Sequence, residues 1–317
     1  AWNADDKLCM CGCHFPVWRA AVKVEPDQVI EYKYVIYDLK TGKIIDMEWG
    51  ENRQVWGLSK GVTLMQNDRS FRRTQPRWKG AGVAVPVFSL RTDDGFGIGE
   101  FQDLKKLADW AALTGQKMIQ TLPINDTTLL HTNRDSYPYN AVSVFALHPI
   151  YLNIPKMGRL TAALKKKYEA TKEEFNKKHF ADYQVVYDEK MKYYQAIFKA
   201  EKDAVFSSEA YKTFFLKNKE WLLAYAVFCY LRDKNGTPHF YDWKKYSVFS
   251  QKDLDKLSSP EAKDFDKVAF FYFLQFHLDK QLTEAVEYAH SKGVALKGDI
   301  PIGISPDSVD AWTNPEL

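Results

Sequence analysis

The strongest constraint on the fold is a strand–helix–strand pattern that begins near residue 82. Residues 83–90 form an apolar run rich in β-branched side chains, and a polar, glycine-rich segment follows, which predicts a buried strand and a turn. Apolar residues then recur at helical spacing up to Gly115, and a second buried run covers residues 118–124. Two strands joined by one crossover helix form a right-handed unit with parallel strands. The sequence therefore predicts an α/β fold.

A third apolar run, at residues 294–299, lies far along the chain from the second. The interval between them is dominated by helical patterning over residues 159–291, with breaks at residues 236–238 and 258–260. Because a parallel crossover ordinarily uses a single helix, we predict a large helical insertion beside the sheet.

Polar side chains follow the predicted strands at their carboxyl ends, where parallel α/β folds keep their chemistry. Asp126 follows the second strand, and Asp299 ends the third. Asp126 is a candidate for lining the mouth of the site, although a role in turn formation explains it equally well. The spacing around Asp299 likewise leaves a turn or helix-capping aspartate open.

Several long segments, in order along the chain, carry a resemblance to a known family. They read FSLR…GIGEF…DLKKLADWA, QTLPINDTT, SYPYNAVSVFALHPIYL and, at residues 293–312, GVALKGDIPIGISPDSVDAW. These segments resemble the amylomaltase (4-α-glucanotransferase) family, glycoside hydrolase family 77, and they are most similar to its plant-cytosolic, disproportionating-enzyme type. The resemblance implies that residues 80–317 hold the first three strands of a (β/α)8 barrel. It also implies retaining transfer of α-1,4-glucosyl or glucan units from maltose or maltodextrin to a glucan acceptor.

The resemblance implies a role for five residues in binding the glucan. Asp299 matches a supporting carboxylate that holds the donor glucose and is not the nucleophile. Tyr139 matches a tyrosine that stacks under this glucose, although its Tyr-Pro-Tyr context is also typical of a rigid turn with one ring packed inward. Ser136 and Asn140 are candidates for contacting sugar hydroxyls, and Trp312 matches the loop after Asp299.

The two carboxylates that retaining glycoside chemistry requires have no match in this sequence. They stand about 5–5.5 Å apart in such enzymes, and in this family they lie on later strands than the three predicted here. We therefore expect a fragment, truncated at both ends, that does not catalyse transfer by itself although the parent protein does. The chemistry requires no metal or organic cofactor. A competing hypothesis is a non-catalytic starch- or glycogen-binding protein that kept these motifs as structure.

Residues 1–56 are β-rich and resemble part of a family-20 starch-binding module, a partial β-sandwich. The strings PVW, EYKYV and ENR carry this resemblance. It implies a starch site formed by Trp18, Lys33, Trp49 and Asn52, in which two aromatic planes face the glucan and two polar side chains bind its hydroxyls. Trp49 lies closer to Asn52 than is usual in that family. The alternative is that both tryptophans cover the core of the sandwich.

The remaining features give weaker indications. Residues 57–79 are polar and read as a linker that docks on the barrel. The net charge of +3 gives no argument for a nucleic-acid partner, and no apolar run approaches the ~20 residues of a membrane span. Cys9, Cys11 and Cys13 alternate, which is not the usual spacing of a zinc site, so we predict free thiols and a cytoplasmic location. Aromatic residues make up 15%, which suits a carbohydrate ligand, although a dense core explains most of them.

Overall fold

A computed structural model describes residues 8–57, 59–73 and 79–316. The chain divides into two compact units, Ala1–Lys79 and Gly80–Leu317. Each unit is built from different elements, and each is described separately below.

The N-terminal unit contains three two-stranded antiparallel sheets. They pair β1 with β2, β3 with β6 and β4 with β5. The strands are β1 (Cys11–His14), β2 (Val17–Arg19), β3 (Val29–Tyr32), β4 (Val35–Asp38), β5 (Lys43–Met47) and β6 (Arg53–Trp56). Two stretches of the sequence, residues 18–24 and 30–38, have strand-like patterning; in the structure the first is reduced to β2, and the second is split into β3 and β4. The split falls at Tyr34, whose amide donates to the carboxylate of Glu48 rather than to a neighbouring strand.

Glu48 is the polar centre of this unit and is almost fully buried. Its Oε1 accepts hydrogen bonds from Arg53 Nη2 at 2.6 Å and from the amide of Arg72 at 2.8 Å. Burial alone raises the pKa of a carboxyl, but these donors outweigh it and lower the pKa of Glu48 to about 2. Asp68 adds to the same network, because it accepts from the hydroxyl groups of two tyrosines and pairs with Arg53.

Part of the predicted linker at residues 57–79 takes part in these bonds, while residues 58 and 74–78 lie outside the described residues. The amide of Trp49 donates to the carbonyl of Arg72, and Asp68 accepts from the hydroxyl of Tyr32, so residues 66–73 are hydrogen-bonded within the N-terminal unit. Over residues 8–57 and 59–73, Glu48 is the single buried residue. The packed apolar core that the predicted sandwich would have is therefore not found among these residues.

The second unit is organised on a three-stranded parallel sheet with the order β7–β8–β9. Its strands are β7 (Gly82–Val85), β8 (Met118–Thr121) and β9 (Ala295–Lys297), and helix α1 (Asp103–Leu113) crosses between the first two. The predicted parallel strand–helix–strand unit is thus confirmed, and Gly115 follows α1 with φ of 76°.

The strands of this sheet are shorter and more exposed than predicted. Pro86, which has no amide to donate, ends β7, and a short 3-10 helix follows at Val87–Ser89. Residues of β7 alternate between exposed and half-buried instead of being buried. The reason is that β7 is an edge strand of this sheet in the described part of the chain.

Six further α-helices lie in the described part of the second unit, and residues 159–291, where the sequence predicts a helical insertion, are mostly helical. Residues with hydroxyl or carboxylate side chains cap the starts of the three helices α2, α3 and α4, and Gly236, with φ of 69°, ends α4. The helices are α2 (Ala162–Lys177), α3 (Tyr183–Ser207), α4 (Glu209–Asn235), α5 (Gln251–Ser258), α6 (Phe265–Ser291) and the short α7 (Val309–Thr313). None of the described helices combines the length and apolar character that a bilayer crossing needs.

A buried ion pair joins the helical insertion to the segment before α1. Lys190 on α3 donates to Glu100 Oε1 at 2.5 Å, and also to the carbonyls of Ile150 and Leu152 at 2.7 and 2.9 Å. The second oxygen of Glu100 accepts from Asn153 Nδ2 at 2.7 Å. Both charged side chains are at most 1% exposed, so their polar atoms depend on one another for partners.

Candidate functional site

Two loops at the carboxyl edge of the sheet meet, although they are far apart in sequence. The amide of Ser305 donates to the carbonyl of Ala141 at 3.0 Å, and the amide of Val309 donates to the carbonyl of Val142 at 2.9 Å. Asp310 adds a side-chain bond, because its Oδ2 accepts from the amide of Val144 at 2.9 Å. The loop that follows β9 is therefore fixed along the loop that follows β8.

This pairing of loops brings Tyr139 and Asp299 into direct contact across 160 residues of sequence. The hydroxyl of Tyr139 donates to Asp299 Oδ2 at 3.0 Å, and the amide of Ile300 donates to Oδ1 at 3.0 Å. Both side chains are half-buried. The hydrogen bond to the carboxylate raises the pKa of Tyr139, because a phenolate beside Asp299 would be repelled. Tyr139 is therefore a neutral donor that orients the carboxylate.

Ser136 and Asn140 lie on the same loop as Tyr139. The hydroxyl of Ser136 donates to the carbonyl of Asn133 at 2.7 Å, and the Asn140 side chain is exposed. The shape of this loop depends on Asp135, which sequence reasoning missed. Its buried carboxylate accepts hydrogen bonds from three consecutive backbone amides, those of residues 129–131. A short acidic side chain after a polar cluster is the only sequence signal for such a role.

The structure corrects the prediction for Asp126. Its side chain is buried, and Oδ2 accepts from the hydroxyl of Tyr225 at 2.7 Å while Oδ1 accepts from the amide of Thr128 at 3.0 Å. The prediction that Asp126 lines the site is therefore wrong, because both oxygens face the interior. His148 lies beside Asp126, with Nε2 4.0 Å from its Oδ1 and with Nδ1 accepting from the amide of Ile150, and burial lowers the pKa of His148 to about 4.

Trp312 is also a core residue rather than a ligand contact. Its Nε1 donates to the carbonyl of Tyr246 at 2.9 Å, and only 4% of the residue is exposed. The ring packs against Phe228, Trp243 and Phe249 with centroid distances of 5.9, 6.1 and 5.1 Å. The prediction that Trp312 contacts a glucan is wrong, because three aromatic rings already cover it.

In the N-terminal unit, the two predicted tryptophans are exposed rather than buried. Trp18 is 56% exposed and Trp49 is 66% exposed, so neither covers a core. Lys33 Nζ donates to the carbonyl of Gly50 at 2.6 Å, between Trp49 and Asn52 in sequence. Asn52 Nδ2 donates to Glu31 Oε2 at 2.9 Å.

The cysteines of this unit differ from the prediction. Cys11 and Cys13 are paired as a disulfide, with their Cα atoms 5.5 Å apart, and Cys9 keeps an exposed thiol. Over the described ranges, no three His, Cys, Asp or Glu side chains are grouped in a way that could hold a metal ion.

Comparison with known proteins identifies the family of the chain. The sequence profile of the family described as 4-alpha-glucanotransferase, glycoside hydrolase 77, matches residues 85–317. The chain belongs to this family. A 4-alpha-glucanotransferase, DPE2, from Oryza sativa subsp. japonica is 38% identical over 100% of the chain and 34% of its own length. The 4-alpha-glucanotransferase of Chlamydia caviae is 33% identical over 80% of the chain and 47% of its own length.

Two solved amylomaltases share the fold of this chain. The enzyme from Streptococcus agalactiae, in complex with acarbose, superimposes with a TM-score of 0.59 at 23% identity, over 75% of this chain and 47% of that one. The enzyme from Corynebacterium glutamicum superimposes with a TM-score of 0.57 at 22% identity, over 73% of this chain and 32% of that one. The predicted α/β class is thereby confirmed. The chain spans about a third to a half of the length of these relatives.

Proposed function

We propose that this chain supplies the donor-glucan site of a 4-α-glucanotransferase. The parent activity would move α-1,4-glucosyl or glucan units from maltose or maltodextrin to a glucan acceptor by a retaining double displacement. The observation that carries the proposal is the hydrogen bond from Tyr139 to Asp299. It links two motifs that the family resemblance had assigned to one glucose, although they lie 160 residues apart.

The geometry suits a glucose ring bound by one face and by its hydroxyl groups. The half-buried ring of Tyr139 offers a flat apolar surface, and its hydroxyl is already occupied by Asp299. The Asp299 carboxylate has two oxygens with about four acceptor positions, of which Tyr139 and Ile300 use two. The remaining positions can accept hydrogen bonds from sugar hydroxyls. Asp299 would therefore hold the donor in place and would not attack it.

The finer architecture is part of the proposal. We infer that β7, β8 and β9 are the first three strands of a (β/α)8 barrel and that residues 159–291 are an insertion into it. The parallel order β7–β8–β9 and the helical crossovers support this inference. Family membership favours the transferase over the non-catalytic binding protein. A cytoplasmic location stays a prediction, which the exposed thiol of Cys9 supports and the disulfide of Cys11 with Cys13 does not.

We also propose that residues 1–56 are part of a starch-binding module. The exposure of Trp18 and Trp49 leaves both rings free to stack on sugar, and Lys33 reaches the turn between Trp49 and Asn52. A test is retention of the chain on immobilised starch. Exchange of Trp18 and Trp49 for alanine should reduce retention, whereas exchange of the exposed Leu39 should not.

The donor site is tested by calorimetric titration of the chain with acarbose and with maltotriose. Tyr139→Ala removes the stacking surface and the bond to Asp299, and should weaken binding by more than tenfold, about 1.4 kcal/mol. Tyr139→Phe keeps the stacking surface and should weaken binding less than Tyr139→Ala does. Exchange of the exposed Leu113 on α1 for alanine is the matched control. Unchanged affinity in both Tyr139 variants would refute the proposal. In a longer parent protein, Asp299→Asn should slow the redistribution of maltose onto glycogen.

A further inference from the structure

Tyr241 presents an exposed aromatic ring in the break between α4 and α5. It lies in a short 3-10 helix, Phe240–Asp242, and is 59% exposed. The ring of His239 stacks against it with a centroid distance of 5.5 Å and an interplanar angle of 29°. The ring of Phe240 meets its edge at 5.7 Å and 70°. Two neighbouring rings therefore pack against this exposed tyrosine.

Asp307, on the loop that follows β9, contacts the His239 ring of this cluster. Its Oδ1 lies 2.9 Å from His239 Nδ1, and the hydroxyl of Tyr241 lies 3.0 Å from the same nitrogen. Partial desolvation and the nearby Asp307 carboxylate raise the pKa of Tyr241, so its phenol stays protonated. Nδ1 of His239 is therefore in contact with both Asp307 and Tyr241.

The residues next to this cluster are tied together by hydrogen bonds to Thr237. Trp243 is buried, and its Nε1 donates to the carbonyl of Thr237 at 2.9 Å. The amide of His239 donates to Thr237 Oγ1 at 3.2 Å. The platform defined by Tyr241, His239 and Asp307 therefore has hydrogen-bonded partners within the chain, and such preorganisation lowers the entropic cost of binding.

The platform shares a loop with the proposed donor site. Asp299 and Asp307 both follow β9, and the amide of Ser305 between them donates to the carbonyl of Ala141, two residues after Tyr139. Since each residue spans at most about 3.6 Å, the Cα atoms of Tyr139 and Asp307 lie within roughly 20 Å. A glucan of several units can extend over a distance of this size.

We propose that Tyr241 is a stacking platform for a distal glucose unit of an α-1,4-glucan whose other end lies at Tyr139 and Asp299. This inference rests on the proposed function and deepens it. The flat face of Tyr241 covers the apolar face of a sugar ring, and the polar atoms of Asp307 and His239 border it to bind hydroxyls. A protein partner fits less well, because the exposed Asp242 and Lys244 interrupt any contiguous apolar patch.

Hydroxyl-radical footprinting of the whole chain, read by mass spectrometry, tests both sites in one experiment. Maltoheptaose should protect Tyr139 and Tyr241, maltose should protect Tyr139 alone, and the exposed Leu113 should react equally throughout. Protection of Tyr139 without Tyr241 under maltoheptaose would overturn the platform and leave the proposed function intact. Protection of Tyr241 alone would overturn the donor site and retain the platform. Protection of neither would overturn both.

Variants give an independent measurement by calorimetry. They are made in a chain that carries Trp18→Ala and Trp49→Ala, so that the N-terminal unit does not mask the result. Tyr241→Ala should weaken maltoheptaose binding about five- to tenfold and leave maltose binding unchanged. Tyr241→Phe keeps the ring and should restore most of the affinity. Equal maltoheptaose affinity in the alanine variant and its parent would contradict the platform.

Discussion

Replacing Lys190 by methionine removes the cation from the ion pair that joins α3 to the segment before α1. Methionine has a similar length and fills the space, so the change deletes charge and donors rather than volume. Glu100 would keep Asn153 as a donor but would lose the ammonium group at 2.5 Å. An uncompensated carboxylate would then remain in a site where the side chain is 1% exposed.

The magnitude follows from what each partner loses. Removing one member of a buried ion pair typically costs about 3–5 kcal/mol, because the other charge stays desolvated. The carbonyl of Ile150 loses its donor from Lys190, whereas the carbonyl of Leu152 keeps the hydroxyl of Tyr194 at 3.2 Å. We therefore expect Lys190→Met to lower the free energy of unfolding by about 4 kcal/mol near neutral pH.

The stability deficit of Lys190→Met, meaning its loss in free energy of unfolding relative to wild type, should depend on pH in a defined direction. Burial raises the pKa of Glu100 above its ordinary value of 4.5, and the attraction of Lys190 opposes this rise. Without Lys190, the pKa of Glu100 in the folded state rises further. The folded variant then binds more protons than the unfolded chain between the two pKa values, so its stability recovers as the pH falls through this window. The deficit should be largest near neutral pH and smaller in mild acid.

Urea unfolding followed by far-UV circular dichroism measures this deficit. All α-helices of the described ranges belong to the second unit, so the signal reports its unfolding. The double variant Lys190→Met/Glu100→Gln is the control, because a neutral glutamine can still accept from Asn153 and should recover about 2 kcal/mol. A deficit below about 1 kcal/mol, or one that grows as the pH falls, would refute the reasoning.

Three further changes test other parts of the fold by the same unfolding assay. Gly97→Ala should lower the free energy of unfolding by more than about 2 kcal/mol, because the new Cβ would lie 2.6 Å from Phe175 Cβ. Gly115→Ala, at nearly the same φ but with open space around it, should lower it by only about 1 kcal/mol. His277→Leu should stabilise the chain, because both ring nitrogens are buried without a partner among the described residues. Burial lowers the pKa of His277 to about 4, so this variant should also lose less stability than wild type as the pH falls from about 6.5. Arg91→Ala should cost about 1 kcal/mol, because its guanidinium donates to three carbonyls at the end of α2, and Arg91→Lys should recover part of it.

Each of these expectations has a contradicting result. Equal losses in the two glycine variants would mean that backbone strain, and not the contact with Phe175, governs both positions. A less stable His277→Leu variant would indicate that the imidazole is satisfied in solution. An unchanged Arg91→Ala variant would show that the end of α2 does not need the guanidinium group.

Periodic patterns predicted the elements of the second unit well, because they reflect burial over many residues. Helix α1, the long helical insertion and the parallel strands follow directly from spacing and from glycine stops. Strand lengths were less predictable, since Pro86 and the edge position of β7 act at single residues. The polar segment at residues 66–73 was misjudged, because its partner is a buried carboxylate, Glu48, that no local pattern identifies.

The candidate site was predicted in part, and the errors have a common cause. Tyr139 and Asp299 were assigned to one site on family motifs, and they are in contact in the structure. Asp126 and Trp312 come from the same motifs but point inward, toward partners far away in sequence. Tyr225 lies 99 residues from Asp126, and no local sequence pattern around either residue predicts the hydrogen bond between them.

These two misassigned residues reveal how the site is held together. Tyr225 and Phe228 are three residues apart on α4, so their side chains share one face of that helix. Tyr225 binds Asp126 at the start of the loop that carries Tyr139, and Phe228 packs on Trp312 at the end of the loop that carries Asp299. One face of α4 therefore anchors both loops, and the backbone bonds between them set the final contact. The α4 helix is thus part of the framework of the candidate site, because it contacts both loops that carry the candidate residues.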